Sequence, residues 1–344
     1  MDVIVLSVYN KNKYKYCIMK PSIIELTDIE IDIIIKLANR LDISPSKEPE
    51  LFCKLSKELS NLIPERIRNF LIDFSKMGSD TGYLLIRGIP IDDTSLPTTP
   101  SGNNKKIGEK TILSRIQSIF CNIIGEMIAY EAEGYGRLFQ DIVPTQSMSN
   151  EQTSLGSSIE LEIHTEQAFS KLRPDILSLA CLRGDKSAMT YILPVQYILD
   201  NISEKQRDMV REPLWTTSVD LSFKLYGNDF IEGDIRGPFS IIYGEKHDPK
   251  LRFDQDLMRG ITDESDELIK RIVDIYYETR LSHNLQPGDI LLLDNHRAVH
   301  GRSPFFPRYD GYDRFLIRCF ITYNYEYSSY ARANGQRVVG AIYS

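Results

Sequence analysis

Residues 288–318 read GDILLLDNHRAVHGRSPFFPRYDGYDRFLIR. Pro287 and Gly288 punctuate the chain, and the run Asp289–Leu293 that follows is apolar enough for a strand buried on both faces. Arg314–Tyr323 reads as a second such strand. Phe315, Ile317, Cys319 and Phe320 flank Arg314 and Arg318, which share a face with Leu316 between them. Four residues at strand rise separate the two arginines by roughly 13 Å, too far for one carboxylate to bridge. An arginine on a buried strand needs an anion, so the pair fits two separate anions, and the planar guanidinium suits carboxylates. Between the strands lie two histidines, His296 and His300.

Working outward, strands dominate the second half of the chain. Leu138–Val143, Ile159–Ile163, Ile176–Leu182, Thr190–Leu193 and Phe239–Tyr243 carry strand patterns, as does Tyr83–Ile86 before Gly88 and Pro90. Helical spacing marks a segment capped by Thr27, then Pro49–Leu62, Pro64–Met77, Thr111–Glu131, Pro194–Arg211 and Thr262–Leu281. Residues 93–109 read as a loop. The pattern predicts a mainly β fold with flanking helices: a helical part over residues 1–80, then a β-sandwich or jelly-roll core over 81–344.

Composition narrows the function classes. The 344 residues carry 41 Lys plus Arg against 48 Asp plus Glu, a net charge of −7, which argues against nucleic acid as partner. With 42% hydrophobic residues the chain can build a real core. Five cysteines at 17, 53, 121, 181 and 319 form neither a disulfide framework nor a zinc ribbon. No signal peptide or membrane span is read, and the expectation is a soluble cytoplasmic protein. A homo-oligomer stays open.

Ile159–Glu166 (IELEIHTE) alternates apolar and polar residues. As a regular strand it would point Glu160, Glu162, His164 and Glu166 to one face, so that an imidazole and a carboxylate two residues apart converge. A later histidine would complete a two-His-one-carboxylate set, which suits non-haem Fe(II) that activates oxygen, although zinc accepts the same donors. His300 and His296 compete for the third place. His247 and His283 read as surface residues.

With these residues in view, the chain resembles the clavaminate synthase-like branch of Fe(II)/2-oxoglutarate-dependent oxygenases, and within it the hydroxylases of free amino acids. The resemblance is carried by Gly82–Gly88 (GYLLIRG), Leu138–Asp141 (LFQD), Glu160–Phe169 (ELEIHTEQAF) and residues 288–318, and spans about 80–325. It implies a single oxygenase domain over 1–344 built on a double-stranded β-helix (jelly-roll), with His164, Glu166 and His300 as ligands of Fe(II). It implies 2-oxoglutarate as cosubstrate, held by Arg314 with help from Thr190, and O2 as oxidant. Arg318 would hold the α-carboxylate of an amino-acid substrate, Gln140 its amino group, and Ser154 would face the substrate. Asp254 and Asp256 resemble paired acids that grip a cationic side chain, on a lid at about 220–262. The expected reaction is hydroxylation of C3 or C4 of a free basic L-amino acid, with L-lysine favoured. L-arginine or L-asparagine hydroxylation, and a non-catalytic jelly-roll binding module, are the alternatives.

Overall fold

The computed structural model describes residues 22–220, 234–333 and 336–343. The first 21 residues of the expected helical part, and residues 221–233 of the expected lid, lie outside the described residues. The helical part holds α1 (Asp28–Asn39), α2 (Pro49–Ser60) and α3 (Glu65–Met77), preceded by a short strand, β1 (Ile23–Glu25), that the periodicity did not show. Thr27 caps α1 through a capping box with Glu30.

A large sheet follows. It joins β1, β2 (Tyr83–Arg87), β14 (Ile290–Asp294), β6 (Ile176–Arg183), β16 (Phe315–Thr322), β3 (Glu126–Tyr130) and β17 (Val338–Val339) in that order, with β4 (Gln140–Ile142) also paired to β16. A four-stranded sheet runs β13 (Leu281–Asn284), β7 (Met189–Pro194), β15 (Ala298–Arg302), β5 (Leu161–His164). Smaller sheets are built from β8 (Trp215–Ser218), β9 (Ile235–Phe239) and β12 (Met258–Gly260), and from β10 (Ile242–Tyr243) and β11 (Lys250–Leu251).

Period-two alternation divides the core into layers. On β14, Ile290 and Leu292 pack with the helices, whereas Leu291 and Leu293 face the four-stranded sheet. On β16, Ile317, Cys319 and Ile321 face the helices, whereas Leu316 and Phe320 face inward. Ile192 of β7 and Ala298 of β15 close this inner core from the opposite side. Ile163, Leu193 and Val299 turn the other way, packing with α7 (Asp263–Thr279) through Ile272 and Ile275. Burial on both faces explains why β14 and β16 read as continuous apolar runs.

Two helix expectations need correction. The helix expected over Thr111–Glu131 ends as α4 (Ile112–Ile124), and β3 begins at Glu126. Gly125 intervenes where the backbone presses against β16: a Cβ there would lie 2.5 Å from the Thr322 carbonyl oxygen. Pro194–Arg211 divides into α5 (Val195–Asp200) and α6 (Glu204–Met209), because Ser203 starts a new helix through a capping box with Gln206. Cys53, Cys121, Cys181 and Cys319 are buried free thiols. No helix among the described residues is long and apolar enough to cross a membrane.

Because Leu292 is fully buried between the sheet and the helices, Leu292→Ala is expected to cost about 2–5 kcal/mol of unfolding free energy. Urea denaturation followed by circular dichroism measures it. A loss below about 1 kcal/mol would contradict a tightly packed outer layer.

Candidate metal and substrate site

His164 closes β5 and His300 lies on β15, and the two are direct cross-strand partners. Their rings stand 4.4 Å apart between centroids. Donor atoms of His164, Glu166 and His300 all lie within 4.8 Å of one another, and His300 Nε2 is 3.6 Å from Glu166 Oε2. The pairing contains a bulge: His300 faces His164, but Arg302 faces Leu161, so Glu162 and Ile163 of β5 oppose the single Gly301 of β15. This corrects the regular alternation expected for IELEIHTE. Glu160 turns away from the cluster, where Tyr276 Oη and Arg280 Nη1 donate to its carboxylate at 3.1 and 3.0 Å.

The donors are oriented from behind. His164 Nδ1 lies 2.8 Å from the Glu162 carbonyl oxygen, which fixes Nδ1–H as donor and leaves Nε2 free. Asn295 clamps the backbone at Glu166: its Oδ1 accepts from Glu166 N at 2.8 Å, and its Nδ2 donates to the carbonyls of Glu166 and Pro174 at 3.1 and 2.8 Å. Burial, then the neighbouring His164, push the His300 imidazole down to about 3, so it is neutral with a free lone pair at physiological pH. Burial would raise the Glu166 carboxyl, but Arg318 and the two imidazoles outweigh it and hold the group below its ordinary range. Glu166 Oε1 accepts from Arg318 Nη1 at 3.1 Å, while buried Oε2 has no hydrogen-bond partner. An orphaned carboxylate oxygen beside two imidazoles fits a cation. His296 is excluded from the cluster: its Nε2 meets Asp175 Oδ1 at 2.6 Å and its Nδ1 meets Tyr243 Oη at 2.7 Å. His283, expected at the surface, is half-buried against the Tyr83 ring at 4.6 Å.

Two cavities meet at the cluster. One, about 50 Å³, is lined by His164, Glu166, His300, Thr190, Arg302 and Arg314 among others. Arg314 is buried and forms no hydrogen bond or ion pair with the described residues; burial lowers its pKa. The second, about 330 Å³, is bordered by His164, Glu166 and Arg318 and by the acids Glu162, Asp220, Asp254 and Asp256, with Ser154 in its wall. Gln140 Oε1 accepts from Arg318 Nε at 3.0 Å, and Arg318 also pairs with Glu133. Gln167 Nε2 donates to Glu133 at 2.7 Å. Gly134, at φ +61°, lets the Gln140 side chain approach, since a Cβ there would fall 2.2 Å from its Cδ.

Asp254 reaches the site through backbone pairing. Thr165 N donates to the Phe253 carbonyl at 2.7 Å and Gln255 N to that of Ile163 at 3.0 Å, which lays residues 253–255 against β5. Burial pushes the Asp254 carboxyl up to about 7 against the lowering effect of His164. Sequence reasoning missed Asn295, Glu133 and Arg302. The first lay in plain view in the turn between β14 and β15; the other two gave no signal of their own.

The family model for "Taurine catabolism dioxygenase TauD, TfdA family" matches residues 79–320. The chain belongs to the TauD/TfdA dioxygenase family. It is 45% identical to L-lysine 3-hydroxylase of Catenulispora acidiphila over 323 residues, covering 94% of this chain and 90% of that one. It is 30% identical to clavaminate synthase 2 of Streptomyces clavuligerus over 298 residues, covering 84% and 89%. The crystal structure of asparagine oxygenase in complex with Fe(II), 3-hydroxyasparagine and succinate superposes with a TM-score of 0.85 at 27% identity, covering 93% of this chain and 99% of that one.

Asn295 touches the site only through the Glu166 backbone. Asn295→Ala is therefore expected to weaken Fe(II) affinity about 10–100-fold while the fold persists. Anaerobic metal titration measures this, and unchanged affinity would show that the clamp does not orient Glu166.

Proposed function

We propose that this TauD/TfdA family member is an Fe(II)- and 2-oxoglutarate-dependent hydroxylase of a free basic L-amino acid, with L-lysine the favoured substrate and C3 or C4 the carbon attacked. The observation that carries the reading is one continuous site. A two-His-one-carboxylate cluster adjoins a small cavity holding an uncompensated arginine and a larger cavity holding both Arg318 and paired acids. On this reading the two wound sheets form a double-stranded β-helix, within a single domain of a cytoplasmic enzyme.

His164, Glu166 and His300 hold the iron, which with O2 and 2-oxoglutarate supplies the oxidising power for an unactivated C–H bond. Arg314 binds the distal carboxylate of 2-oxoglutarate from β16's leading edge, with Thr190 of β7 beside it. Arg318, bound in the free protein by Glu133, Glu166 and Gln140, turns part of its fork to the substrate α-carboxylate. Gln140 offers its side-chain amide to the α-amino group, and Ser154 faces the substrate from its loop. Asp254 and Asp256 receive the distal cation, which a neutral asparagine side chain would not supply. Fixing both ends of an extended amino acid leaves its middle carbons facing the iron, and that positioning is the protein's contribution to rate. The 45% identical relative, an L-lysine 3-hydroxylase, favours lysine over arginine and C3 over C4.

The test is incubation of the purified protein with Fe(II), 2-oxoglutarate and each of L-lysine, L-arginine and L-asparagine, followed by mass analysis. The expected result is addition of one oxygen atom to lysine, with succinate formed. No turnover of any basic amino acid would overturn the proposal. In the same assay Asp254→Asn with Asp256→Asn is expected to raise KM for lysine at least about tenfold with a smaller change in kcat. An unchanged KM would remove the acid pair from the substrate site.

A further inference from the structure

Arg302 is a buried cation that the proposed reaction leaves unused. It ends β15 at 5% exposure, two residues after His300, and it lines the small cavity with Arg314 and Thr190. Its Nε donates to the Ser303 carbonyl at 3.1 Å and its Nη2 to the Ile159 carbonyl at 3.3 Å, and no carboxylate pairs with it among the described residues. Arg314 is in the same condition. The carboxylate that acts on it is Asp185, whose Oδ1 is already engaged by the Ser187 amide and hydroxyl. Both guanidiniums pack over the Phe305 ring, at 5.1 and 5.7 Å from its centroid. The carboxylate that lines this cavity, Glu166, is paired with Arg318, so Arg302 and Arg314 share the pocket without an ion pair of their own among the described residues, an arrangement that costs stability until an anion enters.

We propose that Arg302 is a second cationic anchor for the cosubstrate, and that with Arg314 it makes the small cavity a dicarboxylate site able to bind without the metal. The inference rests on the assignment of 2-oxoglutarate to this cavity, and goes beyond it in giving Arg302 a role. Arg302 follows His300 by two residues on β15, so period-two alternation puts it on the same face, the side on which His300 meets its partners and which lines the cavity. Its two bonds to carbonyls hold the guanidinium in place without neutralising it, so its charge is directed at whatever fills the cavity. The same charge would retain succinate after turnover, since succinate keeps the distal carboxylate.

The experiment is calorimetric titration of metal-free protein, held in chelator, with succinate and with 2-oxoglutarate. The wild-type protein is expected to bind both. R302Q, which removes the charge, is expected to weaken both at least about tenfold, whereas R302K, which keeps it, should stay within about threefold of wild type. A role confined to holding the β15 turn predicts equal losses in R302Q and R302K, and that result would overturn the proposal. Binding by R302Q as tight as wild type would overturn it also. If the wild-type protein bound neither dicarboxylate, the assignment of the cavity to 2-oxoglutarate would fall together with the role of Arg302; wild-type binding that survives R302Q leaves that assignment standing. R302M replaces R302Q should the latter fail to fold.

Discussion

The site depends on one cross-strand pairing, that of His164 on β5 with His300 on β15. Residues 136 positions apart in sequence become ring neighbours only because the ladder puts them opposite one another. β15 in turn is held between β5 and β7, and its outer side packs through Val299 on the core beneath α7. Three residues of the cluster therefore sit on, or immediately after, regular strands, which gives more rigid placement than loops would.

The second constraint is charge in a place with little water. Glu166, Glu133, Arg314, Arg318 and Arg302 are all buried. Two of these arginines answer in different ways. Arg318 is compensated by Glu133 and Glu166, so a ligand carboxylate must share or displace those partners. Arg314 forms no ion pair among the described residues, so an anion entering its cavity has no partner of that arginine to displace. Arg314, just before β16, and Arg318 within it lie four residues apart and both border the small cavity, and that spacing separates the two kinds of recognition.

Much of this was legible in the chain. The buried character of β14 and β16 follows from their uninterrupted apolar runs, and Arg314 and Arg318 share a face by period two alone. His164, Glu166 and His300 stood out by residue type and by the resemblance carried in residues 160–169 and 288–318, and the structure gathers them. What was not legible came from tertiary context. The bulge in β5 breaks the alternation that placed Glu160 with His164, and nothing in IELEIHTE announces an extra residue. Gly125 ends α4 because β16 passes close behind it, a contact made by a strand almost two hundred residues later. Asn295 and Arg302 matter through backbone carbonyls and a shared cavity, which leave no periodic trace. Residue pattern alone left His296 and His300 open; the resemblance pointed to His300, and the hydrogen bonds that tie His296 to Asp175 and Tyr243 keep it out of the cluster.

The most direct measurement is anaerobic equilibrium titration of Fe(II) into metal-free protein, with His164→Ala, Glu166→Ala and His300→Ala run beside the wild type. The account predicts a single ion bound per wild-type chain and affinity lost in each variant while circular dichroism stays native. Iron bound as tightly by Glu166→Ala or His300→Ala as by the wild type would contradict it.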